Sequence, residues 1–422
     1  MKNVTKLLTV ILSLLLVIVA GCKKKDISND SGGSFTNSSP LCFTAVDDWA
    51  KIEIIWLNEV SASYANLDFE YSYDKMHWHE LKIDETRIVL ENKGDKVYFR
   101  GDNPSGLNTK KDINIQLWDI GVRFYTVNKV AASGNIMSLI DPSCKRKSVP
   151  DYCFMKLFEY TSITTAPELP ATELGEQCYE EMFYYCQDLE VAPELPATAL
   201  AKGCYGGMFL YCQSLTEAPK LPATTMVYAC YASMFMDCSS LTTPPELPAT
   251  TLAPSCYAYM FTGCTGLTEA PELPATTLAP RCYYTMFARC SNLASAPVLQ
   301  ATDLAEECYD GMFTDCTSLV TAPELPATNL VKSCYGRMFA GCSNLTTAPE
   351  LPATTLAENC YYQMFISCER LNTIRVNFTE WSNATSYWVE GVPYGGTFYC
   401  PSALPQEFGY KRIPTGWYVV TF

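Results

Sequence analysis

Twenty-one cysteines and two histidines are the residues of this 422-residue chain best equipped for chemistry. Sixteen of the cysteines form eight pairs. The first members are Cys178, Cys204, Cys230, Cys256, Cys282, Cys308, Cys334 and Cys360, each 26 residues after the last, and the second members, Cys186 through Cys368, follow eight residues later. On a helix, residues eight apart lie about 12 Å from each other, beyond the reach of a disulfide. A C-x₇-C spacing is not that of a zinc finger either. The pattern favours two ladders of buried thiols acting as small apolar residues. Disulfides remain the second reading, because export to an oxidising compartment favours them. Cys144 and Cys153 lie outside the ladders and are the expected bridge.

His77 and His79 stand two apart, so a strand would put both on one face. A lone H-x-H brings no third metal ligand, and an amphipathic rim beside Trp78 is the simpler reading. No phosphate-binding loop, dinucleotide fingerprint or nucleophile elbow occurs in a supporting context. These absences point away from an enzyme, and neither cofactor nor metal is expected. Two further rows could bind. Glu168, Glu194, Glu246, Glu272, Glu324 and Glu350 recur at one position of the repeat, with Lys220 and Val298 as exceptions. Like charges stacked near 5 Å need solvent, a cation or a basic partner. A wet row that keeps the array soluble is the first reading, a binding row the second. Tyr179 and its equivalents form an aromatic ladder, expected in the core with its hydroxyls satisfied.

A fixed 26-residue period means stacked supersecondary units, a solenoid. One unit, Leu241 to Gly266, reads LTTPPELPATTLAPSCYAYMFTGCTG. Leu252, Cys256, Met260 and Cys264 recur at intervals of four, with Tyr257 and Phe261 beside them, which predicts a short amphipathic helix. Pro254 and Pro280 would sit in its first turn, Thr251 and Thr277 would cap it, and Gly263 and Gly341 would end it. Gly206-Gly207 weakens one such helix, leaving packing to hold it. Leu241 to Thr243 predicts a strand of three or four residues, cut short by Pro245 and Pro248. A degenerate unit precedes the array, with Tyr152 and Tyr160 where the cysteines would be, as a terminal unit requires.

The recurring C-Y-x-x-M-F-x-x-C-x-x-L-x-x-A-P-x-L-P-A-T resembles the BspA-like leucine-rich-repeat surface proteins, over residues 151 to about 372. These are extracellular lipoproteins and adhesin-like proteins of host-associated bacteria. The resemblance implies a leucine-rich-repeat solenoid, one short strand and one short helix per unit, used for adhesion or binding. The regular prolines and the second cysteine depart from the common family repeat.

The flanks complete the plan. Lys2 and Lys6 precede an apolar run, Leu7 to Val19, too short to span a membrane. Ile18-Val19-Ala20-Gly21-Cys22 resembles the lipobox of bacterial lipoproteins, which implies cleavage after residue 21, lipidation of Cys22 and membrane anchorage through the lipid. Residues 22–41 are polar and rich in Ser, Asn and Gly, as a flexible tether should be. Residues 42–145 alternate in short runs and predict an all-β sandwich serving as spacer. Leu67, Phe69, Tyr71 and Tyr73 share one face, Ile113, Ile115 and Leu117 another, and Asn92-Lys93-Gly94-Asp95 predicts a hairpin turn. Residues 146–372 are the solenoid and 373–422, with Trp381, Trp388 and Trp417, a small β cap. A formal charge of -15 argues against nucleic acid and favours cationic partners. The expected protein is an outer-membrane lipoprotein, exposed at the cell surface, that binds a host or bacterial surface protein or a glycan. Two alternatives stand beside it: a partner of a glycan or peptide uptake system, and a structural spacer of the envelope.

Overall fold

The computed structural model describes residues 39–57, 67–82, 86–108 and 121–422. Cys22, the leader, nearly all of the tether, and Ile113, Ile115 and Leu117 lie outside them. From Ser39 to Phe422 the chain is one compact unit, a β-solenoid of about 11 turns with almost no helix.

Eight strands precede the repeats: β1 Leu41–Ala45, β2 Ala50–Leu57, β3 Glu70–Ser72, β4 His79–Glu80, β5 Arg87–Leu90, β6 Lys96–Arg100, β7 Gly121–Val127 and β8 Val130–Ser133. They form two antiparallel sheets, β4-β3-β6-β1-β8 and β5-β2-β7. Phe43 and Phe99 of the first sheet meet Phe124 of the second at ring distances of 5.2 Å. The turn at residues 92–95 forms, closed by Asp95 N–H to Asn92 C=O at 3.0 Å. It is not a hairpin: β5 and β6 belong to different sheets, so the turn carries the chain from one to the other. Along Leu67, Phe69, Tyr71 and Tyr73 burial falls from Phe69, which is buried, to Tyr73, which is exposed, and the Tyr71 and Tyr73 rings meet at 5.8 Å.

The expected spacer is continuous with the solenoid through its backbone. Val130 bridges to Ile163 and Asn135 to Glu168, both parallel, and Phe124 N–H donates to Leu157 C=O at 2.8 Å. The Phe43 and Phe124 rings pack on Phe158 of the first coil. One apolar core therefore runs from the antiparallel sheets to the last coil.

The helix expected over Leu252 to Cys264 does not form. In its place each coil strings together four-residue turns. Two residues point inward, two outward, and the second outward residue takes positive φ. In the first full coil Cys178-Tyr179 and Met182-Phe183 are buried, while Glu180-Glu181 and Tyr184-Tyr185 face out. Gln177, Glu181 and Tyr185 have φ of 52°, 51° and 60°. The backbone bonds alternate to match. Met182 and Tyr184 N–H groups close local turns to Tyr179 and Glu181, whereas Tyr179, Glu181, Phe183 and Tyr185 N–H groups donate to Cys204, Gly206, Met208 and Leu210 of the next coil. Left-handed backbone costs a non-glycine residue roughly 1–2 kcal/mol. The bonds between coils and the buried pairs offset that cost. Gly263 and Gly341 occupy such left-handed corners, with φ of 75° and 71°, rather than ending a helix. Thr251 and Thr277 cap nothing; they bridge in a row, Thr225 to Thr251 to Thr277 to Asp303.

The opposite side of each coil is more weakly paired than expected. Through most of the array it makes isolated parallel bridges, such as Glu217 to Thr243 and Glu269 to Ser295. The prolines remove the donors a longer ladder would need. Two short strands, β9 Ser148–Val149 and β10 Glu173–Leu174, pair in parallel near the start. Regular strands return at the end, where β11 Thr347–Leu351, β12 Thr373–Val376, β13 Thr397–Cys400 and β14 Tyr418–Thr421 form a parallel sheet in sequence order. The β region after residue 372 thus continues the coil path, on shortened repeats. Trp388 fills the place of a repeat methionine: its carbonyl accepts from Phe365 N–H as Met364 accepts from Phe339.

Candidate functional site

The inward side chains of the turns build five continuous rows, of tyrosine, methionine, phenylalanine and two of cysteine. Tyrosine rings from Tyr179 to Tyr361 stack at 5.7–6.3 Å. Phenylalanine rings from Phe158 to Phe365 stack at 5.5–5.8 Å. Both rows are core. Among the described residues no hydrogen-bond partner reaches the buried Tyr179 hydroxyl, so at that position the expectation of a satisfied hydroxyl is not met. The paired cysteines are free, buried thiols. Burial pushes Cys204, Cys290 and Cys334 up to about 12, the wrong direction for a nucleophile.

The second cysteine row does more than fill space. Cys212, Cys238, Cys264 and Cys290 thiols donate to the carbonyls of Phe183, Phe209, Phe235 and Phe261 in the preceding coil, at 3.0–3.1 Å. Each of those carbonyls already accepts a turn amide, as Phe183 C=O does from Cys186 N–H. The thiol occupies the second lone pair of a buried acceptor, a contact the spacing alone did not reveal.

The degenerate first unit is in a different register from the one expected. Tyr152, Lys156 and Tyr160 all have positive φ, and Phe154 N–H donates to Cys178 C=O. These place Cys153 in the first cysteine row and Thr161 in the second, one residue beyond the tyrosines. Thr161 Oγ1 donates to Phe158 C=O at 2.7 Å and touches Cys186 Sγ at 3.2 Å. Cys153 is a buried free thiol, so the expected bridge to Cys144 does not form.

His77 Nδ1 contacts Asp74 at 2.7 Å, and the His79 ring packs on Tyr71 at 5.3 Å. Among the described residues no three His, Cys, Asp or Glu side chains gather in a way that could hold a metal ion. No helix among them is long and apolar enough to cross a membrane.

The glutamates Glu168, Glu194, Glu246, Glu272, Glu324 and Glu350 lie exposed along the proline side of successive coils. Lys220 and Val298, exposed at the same level, divide them into three pairs. Arg375 of the following coil stands beside Glu350 at 3.2 Å.

The outward residues of the turns present a different surface. Their backbone positions repeat while their side chains change along the array. At the corner of Tyr185 the successive residues are Tyr160, Tyr185, Tyr211, Asp237, Gly263, Arg289, Asp315 and Gly341, all with positive φ. Where acids and glycines occur, neighbouring coils interlock: Arg289 reaches across Gly263 to Asp237 at 3.1 Å. In the first three coils the corner is aromatic. Tyr160 and Tyr185 rings lie 5.2 Å apart, Tyr185 and Tyr211 5.5 Å, and Tyr184 touches all three. Tyr160 and Tyr185 are exposed, at 49% and 38%. Hydrogen bonding to Tyr160, then burial, raise the Tyr184 phenol above its usual range. The repeat spacing does not point to this cluster, because it places Tyr160 at a cysteine position. The available signal was the Tyr184-Tyr185 pair, where later coils carry Thr262-Gly263 or Ala288-Arg289.

Fold and surface define a class, the β-solenoid with a constant interior and a variable outer wall. No family model, curated protein or solved structure matches the chain.

Proposed function

We propose that this chain is a membrane-anchored, surface-displayed bacterial lipoprotein whose solenoid binds a partner and performs no catalysis. The observation carrying this reading is one backbone path repeated coil after coil, with outward side chains on the turn wall that vary along the array. Such an arrangement suits recognition over an extended surface. Among the described residues the buried, hard-to-ionise repeat thiols and the exposed histidines offer no catalytic pair. The resemblance to BspA-like surface proteins, and the inward placing of Leu241 and Leu247, support relating the coils to leucine-rich repeats. The two N-terminal antiparallel sheets are read as a small β-sandwich that closes the first coil, with Cys22 as the lipid attachment point.

Among the alternatives, capture of a glycan for an uptake system is favoured by one observation, the partly exposed Tyr160–Tyr185–Tyr211 cluster. A plain envelope spacer does not call for it. The reading is tested by protease shaving of intact and gently permeabilised cells, following the repeats with an antibody, alongside Cys22→Ser and radiolabelled fatty acid. Cleavage on intact cells, with label lost in the variant, is expected. Protection until permeabilisation would remove the surface reading, and unchanged labelling would remove the anchor.

A further inference from the structure

Beside the tyrosine cluster the turn wall is hollowed. Gly203, Gly206 and Gly207 leave the second full coil without side chains where its neighbours carry Gln177, Glu180 and Glu181 on one side and Ala229, Ala232 and Ser233 on the other. The result is a cleft of about 260 Å³, with Lys202 and Tyr228 at one end and Leu210 at the other. Leu210 directly precedes Tyr211, so cleft and aromatic cluster are neighbours on one face. The volume lies just below the roughly 300–1,000 Å³ of ordinary small-molecule sites. It suits one ring-sized unit of a longer ligand whose remainder lies over the tyrosines.

The polar groups at the rim indicate the chemistry. Lys202 is paired with Glu176 at 2.7 Å, Glu181 with Lys156 at 2.9 Å, and Glu180 accepts from Gln177. Tyr228 lies 5.9 Å from the Lys202 ammonium. The rim thus offers oriented donors and acceptors, and both its lysines, Lys156 and Lys202, are already engaged by carboxylates. An anionic ligand would have to break one of these pairs and approach Glu180 and Glu181, whereas an uncharged polyhydroxylated ligand would not. Partly exposed tyrosines supply the flat apolar faces on which sugar rings stack.

We propose that the cleft and the Tyr160–Tyr184–Tyr185–Tyr211 cluster together form a binding site for a neutral oligosaccharide. This rests on the binding function proposed above and names the site and ligand class within it.

The test is calorimetric titration of the purified protein with neutral gluco-, manno-, xylo- and N-acetylglucosamine oligosaccharides, with polygalacturonate and a basic peptide as charged comparators. Gly206→Tyr fills the cleft at a position where Tyr284 and Tyr362 already occupy other coils. An added Cβ there meets nothing closer than 3.4 Å, so the fold should accept it, as circular dichroism would verify. A Tyr185→Ala/Tyr211→Ala double variant strips the cluster, and Tyr362→Ala, farther along the same wall, is the control. One neutral series should bind, at least tenfold more weakly to the first two variants and unchanged to the control. Neutral binding that survives both variants would overturn the site. Binding of only the charged comparators, or of no sugar, would overturn the ligand class. Neither result touches the surface display that protease shaving reads.

Discussion

The two sides of each coil are stabilised differently, and the difference separates what holds the solenoid together from what it can recognise. On the turn side five N–H groups of the first full coil, those of Gln177, Tyr179, Glu181, Phe183 and Tyr185, donate to the next coil. Beneath them lie the stacked aromatic rows and the thiol-to-carbonyl bonds. On the proline side single contacts such as Thr242 N–H to Thr216 C=O join the coils, and the prolines and most of the glutamates recur from coil to coil. The tightly bonded wall is the one whose exposed residues vary. Backbone bonds between coils need no particular outward side chain, so that wall can change its surface without losing its frame.

The comparison can be broken most directly in the core. Phe261→Ala removes a ring from the middle of the phenylalanine row and should cost about 3–5 kcal/mol. Glu246→Gln on the proline side should stay within about 0.5 kcal/mol of the parent. Urea unfolding compares the two, and similar losses would contradict the assignment of stability to the turn side.

A smaller effect is expected from Asp310, a largely buried carboxylate held by Arg337 at 3.0 Å. Burial outweighs the arginine and raises Asp310 to about 6. Folding therefore takes up a proton between the unfolded value of about 3.9 and about 6. The stability linked to that proton is fully present below the lower value and lost as pH rises through the upper. Asp310→Asn lacks this term, so its melting temperature relative to the parent should climb between pH 4 and pH 7. A flat difference would mean the carboxyl stays ionised throughout.

At Cys264 the question is whether the thiol is filler or donor. Cys264→Ser keeps a donor toward the Phe235 carbonyl and should be about 1 kcal/mol more stable than Cys264→Ala. The reverse order would reduce the row to apolar packing. The smallest effect is expected at a left-handed corner. Ser255→Gly, at φ 56°, should gain about 0.5 kcal/mol, the released strain narrowly exceeding the added chain entropy. A loss would show that this corner is unstrained.

Much of this was legible in the sequence. The 26-residue period gave the solenoid, and the spacing of Cys256, Tyr257, Met260, Phe261 and Cys264 gave the buried set. Helix and turn string could not be separated on that evidence. A helical position drifts only about 40° in four residues, so over the eight from Cys256 to Cys264 both keep one face inward. The deciding feature is positive φ at residues such as Gln177, Glu181 and Tyr185, none of which advertises it as glycine or asparagine would. The one-residue slip that puts Cys153 rather than Tyr152 in the cysteine row was hidden as well, because two tyrosines happened to keep the 26-residue count. Of the candidate sites, the glutamate row was visible as a pattern. The cleft was not: Gly206-Gly207 registered as a weak helix rather than as missing side chains between two furnished coils.

The direction of the bonds between coils has a mechanical consequence. They run along the solenoid axis, so a load pulling its two ends apart would open them a coil at a time rather than shear them together. Each 26-residue coil peeled from an end would release about 90 Å of chain. The array would then yield in steps under flow, lengthening before it let go, with each step set by the few bonds of a single coil.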